Sequence, residues 1–150
     1  MMRRRRSAQA LMWFTLALPM FVSIAGLAID GGALLASRRE LQSVADGAAR
    51  AGATRLDLAR LRASGGADVQ LDRTLALAAA RTYLDQRLAV ELVWQAAPHS
   101  LVEVEGRRVH VLVQGTLPTA FLRVVHVDSV PVEASSFADV QYGIHDGMGG

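Results

Sequence analysis

Between Ser7 and Ile29 the chain carries no charged residue, and the four arginines Arg3, Arg4, Arg5 and Arg6 stand immediately before this block. A helix crosses a bilayer with roughly 20 mostly apolar residues. It satisfies its own backbone hydrogen bonds, so Ser7, Gln9, Thr15, Pro19 and Ser23 are tolerable interruptions. The pattern predicts a transmembrane helix over residues 8–30, kinked at Pro19 and with Trp13 as an interface anchor. Beyond Asp30 the period stays helical while charge appears. Leu34, Leu41 and Ala48, and likewise Ser37, Val44 and Ala51, recur by sevens, whereas Arg38, Arg39, Asp46 and Arg50 lie elsewhere on the helix. The helix is therefore expected to run on to Leu61 or Arg62. Its narrow seam, Leu34, Leu41, Val44, Ala48 and Ala51, suits close packing against another helix or a sheet. Asp30, near the outer interface, reads as a residue solvated at that interface in preference to the alternative, a functional role.

A flexible break follows at Ala63-Ser64-Gly65-Gly66-Ala67-Asp68. A second helix is predicted to follow, Asp72 lying early in it and its end falling before Pro98, with Leu77, Ala80, Leu84 and Leu88 on its packed face and Arg73, Arg81, Asp85 and Arg87 toward water. From Leu101 the period changes to two. LVEVEGRRVHVLV predicts a hairpin turning at Gly106-Arg107, in which Glu105 faces Arg108, Val104 faces Val109, Glu103 faces His110, Val102 faces Val111 and Leu101 faces Leu112. This register gathers four valines on one face. After a Pro118-Thr119 break, residues 120–125 read as a short helical or irregular crossing and 127–140 as a further strand, placed at a sheet edge or a bulge by Pro131.

The chain thus divides into a basic cytoplasmic segment (1–7), a transmembrane helix (8–30), its extracytoplasmic continuation (31–62), a small α+β domain (63–142) and a flexible tail (143–150). The expected fold class is α+β, a long amino-terminal helix followed by a second helix and a small antiparallel sheet, an arrangement that resembles that of pilin-like proteins. Charge sets the orientation: Arg3 to Arg6 outweigh Arg38 and Arg39, which Asp30 and Glu40 dilute, so the amino terminus is expected in the cytoplasm and the domain outside the inner membrane. Without those four arginines the balance is 12 basic against 14 acidic residues, which makes the basicity a topology signal and argues against a nucleic-acid partner. An alternative reading is a secretory signal peptide cut after Gly26-Leu27-Ala28, releasing a small binding module. Against it, the apolar stretch exceeds the roughly 7–15 residues of a signal-peptide core, and helical patterning continues past the cut.

All sixteen basic residues are Arg and there is no Cys, which excludes Lys chemistry, disulfides, thiol nucleophiles and cysteine metal sites. His99, His110, His126 and His145 have no metal-site spacing, and Ser135, Ser136 and Asp139 crowd one strand, so no catalytic constellation, cofactor, metal or small-molecule substrate is expected. Trp94 reads as a core or surface residue.

One stretch is more specific than composition. The arginine-flanked start, Ala17-Leu18-Pro19, Asp30 among small neighbours, Ala36-Ser37-Arg38-Arg39-Glu40-Leu41-Gln42, and Ala45-Asp46 before an alanine-rich run together resemble TadE/TadG-like components of the tight-adherence (Flp) pilus assembly system. The valine-rich strand, Pro118-Thr119 and Asp128-Ser129-Val130 are also similar to the ends of short members. The resemblance implies a minor pilin-like or accessory subunit without enzymatic activity, supporting a type IV pilus used for adhesion, with the membrane and other pilus subunits as partners. In prepilin-like members a Gly precedes the processing point and a Glu follows it. Here Ser7 and Met12 occupy those positions, so a cleavage between Ser7 and Ala8 would lack both marks.

Overall fold

A computed structural model describes residues 3–89, 94 and 98–140 of the 150-residue chain. The first element, α1, is one uninterrupted helix, Arg3–Ala53, which passes through Pro19 and Asp30 without a break. Its outer half and a second long helix cover one face of a three-stranded antiparallel sheet, giving two layers and an α+β fold.

The expected continuation to Leu61 or Arg62 is corrected: α1 ends at Ala53, and α2, Leu58–Ala63, is separate. Leucine spacing alone favours extension, but tertiary pairing overrides it. The Arg55 amide folds back on the Gly52 carbonyl (3.1 Å), Leu56 bridges antiparallel to Leu71, and the Asp57 amide donates to the Gln70 carbonyl (2.9 Å). This turn seats Leu56 against the core, and the Asp57 carboxylate then caps α2 by accepting from the Arg60 amide (3.0 Å). The break after α2 falls where the sequence placed it, with Gly65 and Gly66 at positive φ.

The third helix, α3, spans Arg73–Leu88 and starts at Asp72, whose carboxylate accepts from the Thr74 and Leu75 amides, both at 3.0 Å. Ala76, Ala80 and Leu84 form its buried stripe, with Leu77 and Leu88 half-buried beside it. The helix stops at Leu88, well short of Pro98. The expected tail, 143–150, lies outside the described residues.

The sheet consists of β1 (His99–Glu105), β2 (Arg108–Pro118) and β3 (Ser129–Asp139), in that spatial order. The register is the expected one throughout the hairpin, from Leu101 opposite Leu112 to Glu105 opposite Arg108. Val102, Val104, Val109, Val111 and Val113 consequently face the helices and are buried, each such side chain contributing about 1.5–3 kcal/mol. Gly106, at φ +56°, supplies the left-handed turn. Pro131 sits in β3, an edge strand, where a missing N–H costs nothing. Gly52 and Gly47 let α1 come close to its neighbours: a Cβ on Gly52 would lie 3.1 Å from the Ala76 carbonyl oxygen, and the Tyr83 phenol lies directly on Gly47.

Candidate functional site

The long helix is where this molecule concentrates its unusual properties, and its two halves differ in what surrounds them. In the inner half, Leu11, Trp13, Phe14, Leu18, Phe21, Ile24 and Ile29 each expose more than half of their surface, and only 6 % of the most apolar 18-residue window is buried inside the molecule. A core helix of this composition would be covered by its own protein, and this one is not. Its polar side chains are satisfied locally: the Thr15 hydroxyl donates to the Leu11 carbonyl and the Ser23 hydroxyl to the Pro19 carbonyl, both at 2.8 Å. The helix is long and apolar enough to cross a membrane.

The outer half is enclosed by its own domain. Leu41, Val44 and Ala48 of the seam are buried in the core together with Ala45 and Ala49, Leu34 packs against that core, and Ala51 is half-buried. These side chains meet α3 and the sheet of the same chain. On the flank, the Gln42 amide bridges the Asp46 carboxylate (3.0 Å) and the Ser135 carbonyl (2.9 Å). A hydrogen bond from Ser136, helped by Gln42 and by the Arg50 charge, holds the Asp46 carboxyl below its ordinary value. Arg3 to Arg6, Ser7 and Ala8 all belong to α1, so the Ser7–Ala8 bond is helical backbone.

Between the halves lies a feature that sequence reasoning missed. Asp30, expected to be solvated, is only 4 % exposed. Its carboxylate accepts from three backbone amides of the β2–β3 connection: Ala120 (3.0 Å), Phe121 (2.9 Å) and Leu122 (2.7 Å). These amides open a 3₁₀ turn, Leu122–Val125, whose first N–H groups have no partner within the turn, so an anion placed there is doubly favoured. One helical turn toward the amino terminus, Gly26 makes room for Phe121; a Cβ at that position would lie 2.6 Å from the ring. The connection closes on itself as well. The Thr119 amide donates to the Asp128 carbonyl (3.0 Å), the Thr119 hydroxyl to the Val127 carbonyl, and the Val127 amide to the Leu122 carbonyl (3.1 Å). Residues 119–128 thus form a collar clamped to α1 where the helix leaves the apolar region.

The signal that could have found Asp30 is its phase. It stands seven residues before Ser37, on the same heptad line as Val44 and Ala51, and so on the packed face of α1.

The outer face of the sheet is polar. Arg108 holds Asp139 through two bonds (2.7 and 2.9 Å) and lies 5.1 Å from the centre of the Phe137 ring, while Gln114 donates to Glu133 (2.7 Å). His110 stands opposite Glu103, as the register required. Trp94 packs against the core, over Gly115. Gly31 and Gly32 face open space. Among the described residues no three His, Cys, Asp or Glu side chains are grouped to hold a metal ion.

Comparison with known proteins gives one result. No curated protein and no solved structure matches the chain. The family model for TadE/G-like Flp pilus assembly matches residues 8–55, which are the span, the Asp30 clamp and the packed outer half of α1 through its end. Over those residues, about a third of the chain, the long helix is similar to the TadE/G-like Flp pilus-assembly family.

Proposed function

We propose that this protein is a non-catalytic, minor pilin-like or accessory subunit of a tight-adherence (Flp) pilus system, supporting pilus assembly and surface adhesion. In this reading it is a single-pass protein of the bacterial inner membrane, with Arg3 to Arg6 in the cytoplasm and the α+β domain on the periplasmic or outer side. Its partners are the membrane and other pilin-like and assembly subunits. The observation that carries the reading is the coincidence of the family match with α1: the matched segment is a lipid-suited span joined without interruption to a helix on which a small sheet domain is built. Pilin-like subunits work by such a helix, which holds the subunit in the membrane and presents its domain outside.

Two features speak against release by signal peptidase. Cleavage after Ala28 would remove Gly26 from beneath Phe121 and leave Asp30 next to a new, charged amino terminus. The test is the intact mass of the protein isolated from native-host membranes, combined with pilus assembly in a deletion strain complemented by the gene. A permanently anchored assembly subunit gives the full-length mass, allowing for loss of Met1. Loss through Ser7 would point to prepilin-type processing and entry into the filament. Loss through Ala28, with recovery in the soluble fraction, would establish the secreted module instead, and normal piliation of the deletion strain would defeat the pilus assignment.

A further inference from the structure

The collar formed by residues 119–128 has a surface that the Asp30 clamp does not explain. Phe121, Val124, Val125 and Val127 are 41, 81, 64 and 39 % exposed. Four exposed large apolar side chains within seven residues make a patch, whereas elsewhere in the domain Leu58, Leu75, Leu101 and Phe137 are scattered singly over different elements.

The height of this patch follows from helix geometry. The uncharged segment from Ala8 to Ile29 spans about 33 Å at 1.5 Å per residue, close to the thickness of a hydrocarbon core, so Asp30 marks its outer edge. Phe121 packs on Gly26, which lies about 6 Å further in along α1. That depth falls within the roughly 5–10 Å to which interfacial apolar groups penetrate. Leu27 and Ile29, which flank Gly26 and Asp30 along α1, are exposed as well, so the helix itself presents apolar surface at this level.

The polar groups of the collar are arranged compatibly. The amides of residues 119–122, 124, 126 and 127 all donate within the protein, which lowers the cost of leaving water. Arg123, paired at 3.7 Å with Asp128, is exposed and long enough to reach lipid phosphates while its stem lies along the apolar boundary.

We infer that the 119–128 collar is a second membrane contact, inserting Phe121, Val124 and Val125 into the outer interface of the bilayer that α1 spans and fixing the height and orientation of the external domain. The inference rests on the anchored reading of α1, and the experiment separates the two. Because the chain has no cysteine, single substitutions give unique labelling sites. Leu18→Cys, Val124→Cys and Glu105→Cys, in the full chain, are each labelled with an environment-sensitive fluorophore and reconstituted into vesicles of phosphatidylethanolamine and phosphatidylglycerol. Aqueous iodide and a lipid carrying a nitroxide near the headgroup end of its acyl chain serve as quenchers. The expected result is protection from iodide at position 18, full iodide access at position 105, and at position 124 several-fold weaker iodide quenching together with strong quenching by the nitroxide lipid. If position 124 behaves like position 105 while position 18 stays protected, the collar contact is wrong and the anchor stands. Iodide access at position 18 overturns both. Protection of position 124 from both quenchers means that protein covers the collar, and this also overturns the contact. Val124 is 81 % exposed, so its substitution leaves the fold intact, and Val125→Cys repeats the measurement at a neighbouring site.

Discussion

Two glycines of this chain look alike in the sequence and differ in what they do. Gly106 holds φ +56° at the hairpin turn, while Gly31 lies inside α1 with no neighbouring atom within 4 Å of the position that a Cβ would take. Gly106→Ala must place a Cβ in the left-handed region and should lower stability by about 1–2 kcal/mol. Gly31→Ala removes a flexible residue from a helix interior and should raise stability by up to about 1 kcal/mol. Urea unfolding of the full chain in detergent micelles, followed by circular dichroism, compares them directly. A charged pair gives a second prediction at this scale. The hydrogen bonds and charge of Arg108 hold the Asp139 carboxyl below its ordinary value, so in the folded chain it gives up its proton more readily than in the unfolded one. Its contribution is complete above the ordinary aspartate value of about 3.9 and is lost as the pH falls through the lower, folded value. In a carboxyl-carbon NMR titration, Arg108→Gln should move the Asp139 midpoint upward toward that ordinary value; an unmoved midpoint would mean that Arg108 is not the cause.

The elements meet through small residues on α1 and larger ones facing it, which makes the sign of a size change predictable. Leu84 of α3 is 1 % exposed, and Leu84→Ala should cost about 2–5 kcal/mol through the cavity left between α3 and α1. Ala48, wholly buried on α1, has no space for a longer side chain, and Ala48→Leu should cost about 1–3 kcal/mol by overpacking. The same micelle unfolding experiment reads both, and near-neutral results would mean that α1 and α3 do not pack here. The elements were unequally legible in the sequence. The hairpin could be read to the residue because turn chemistry, valine alternation and the Glu105–Arg108 pairing all demanded one register. The end of α1 could not, because Leu58 and Leu61 continue the spacing of Val44 and Ala51, and it is the tertiary pairing of residues 55–57 with 70–72 that breaks the helix. The role of Asp30 was hidden for a different reason. Its partners lie some ninety positions away and are backbone amides, which every residue type except proline carries, so no side-chain signature announces them. What the sequence did hold was the phase of Asp30 on the seam, and phase alone tells which face packs without telling what it meets.

At the scale of the whole molecule, α1 joins its exposed apolar half to the domain as one continuous helix, so its rotational phase matters. Asp30 and Leu41 are eleven residues apart, which is close to three full turns, so one stripe carries both the collar clamp and the buried core positions. Inserting one alanine after Ala36 keeps the helix and its hydrophobicity but rotates the inner part by about 100° relative to the core. Leu41, Val44 and Ala48 retain their packing, because that is where most of the burial lies, whereas Asp30 turns away from the amides of Ala120, Phe121 and Leu122. Hydrogen exchange of the reconstituted chain should then show faster exchange at amides 120–122 while the β2 amides of Val109, Val111 and Val113 stay protected. Asp30→Asn, which leaves the helix in phase but offers a single acceptor oxygen to three donors, should produce a weaker loss confined to the same amides. If the insertion loosens the β2 amides equally, the collar and the core behave as one cooperative unit. If it changes neither, the clamp does not hold the collar, and the domain's height above the membrane must be set by contacts other than Asp30.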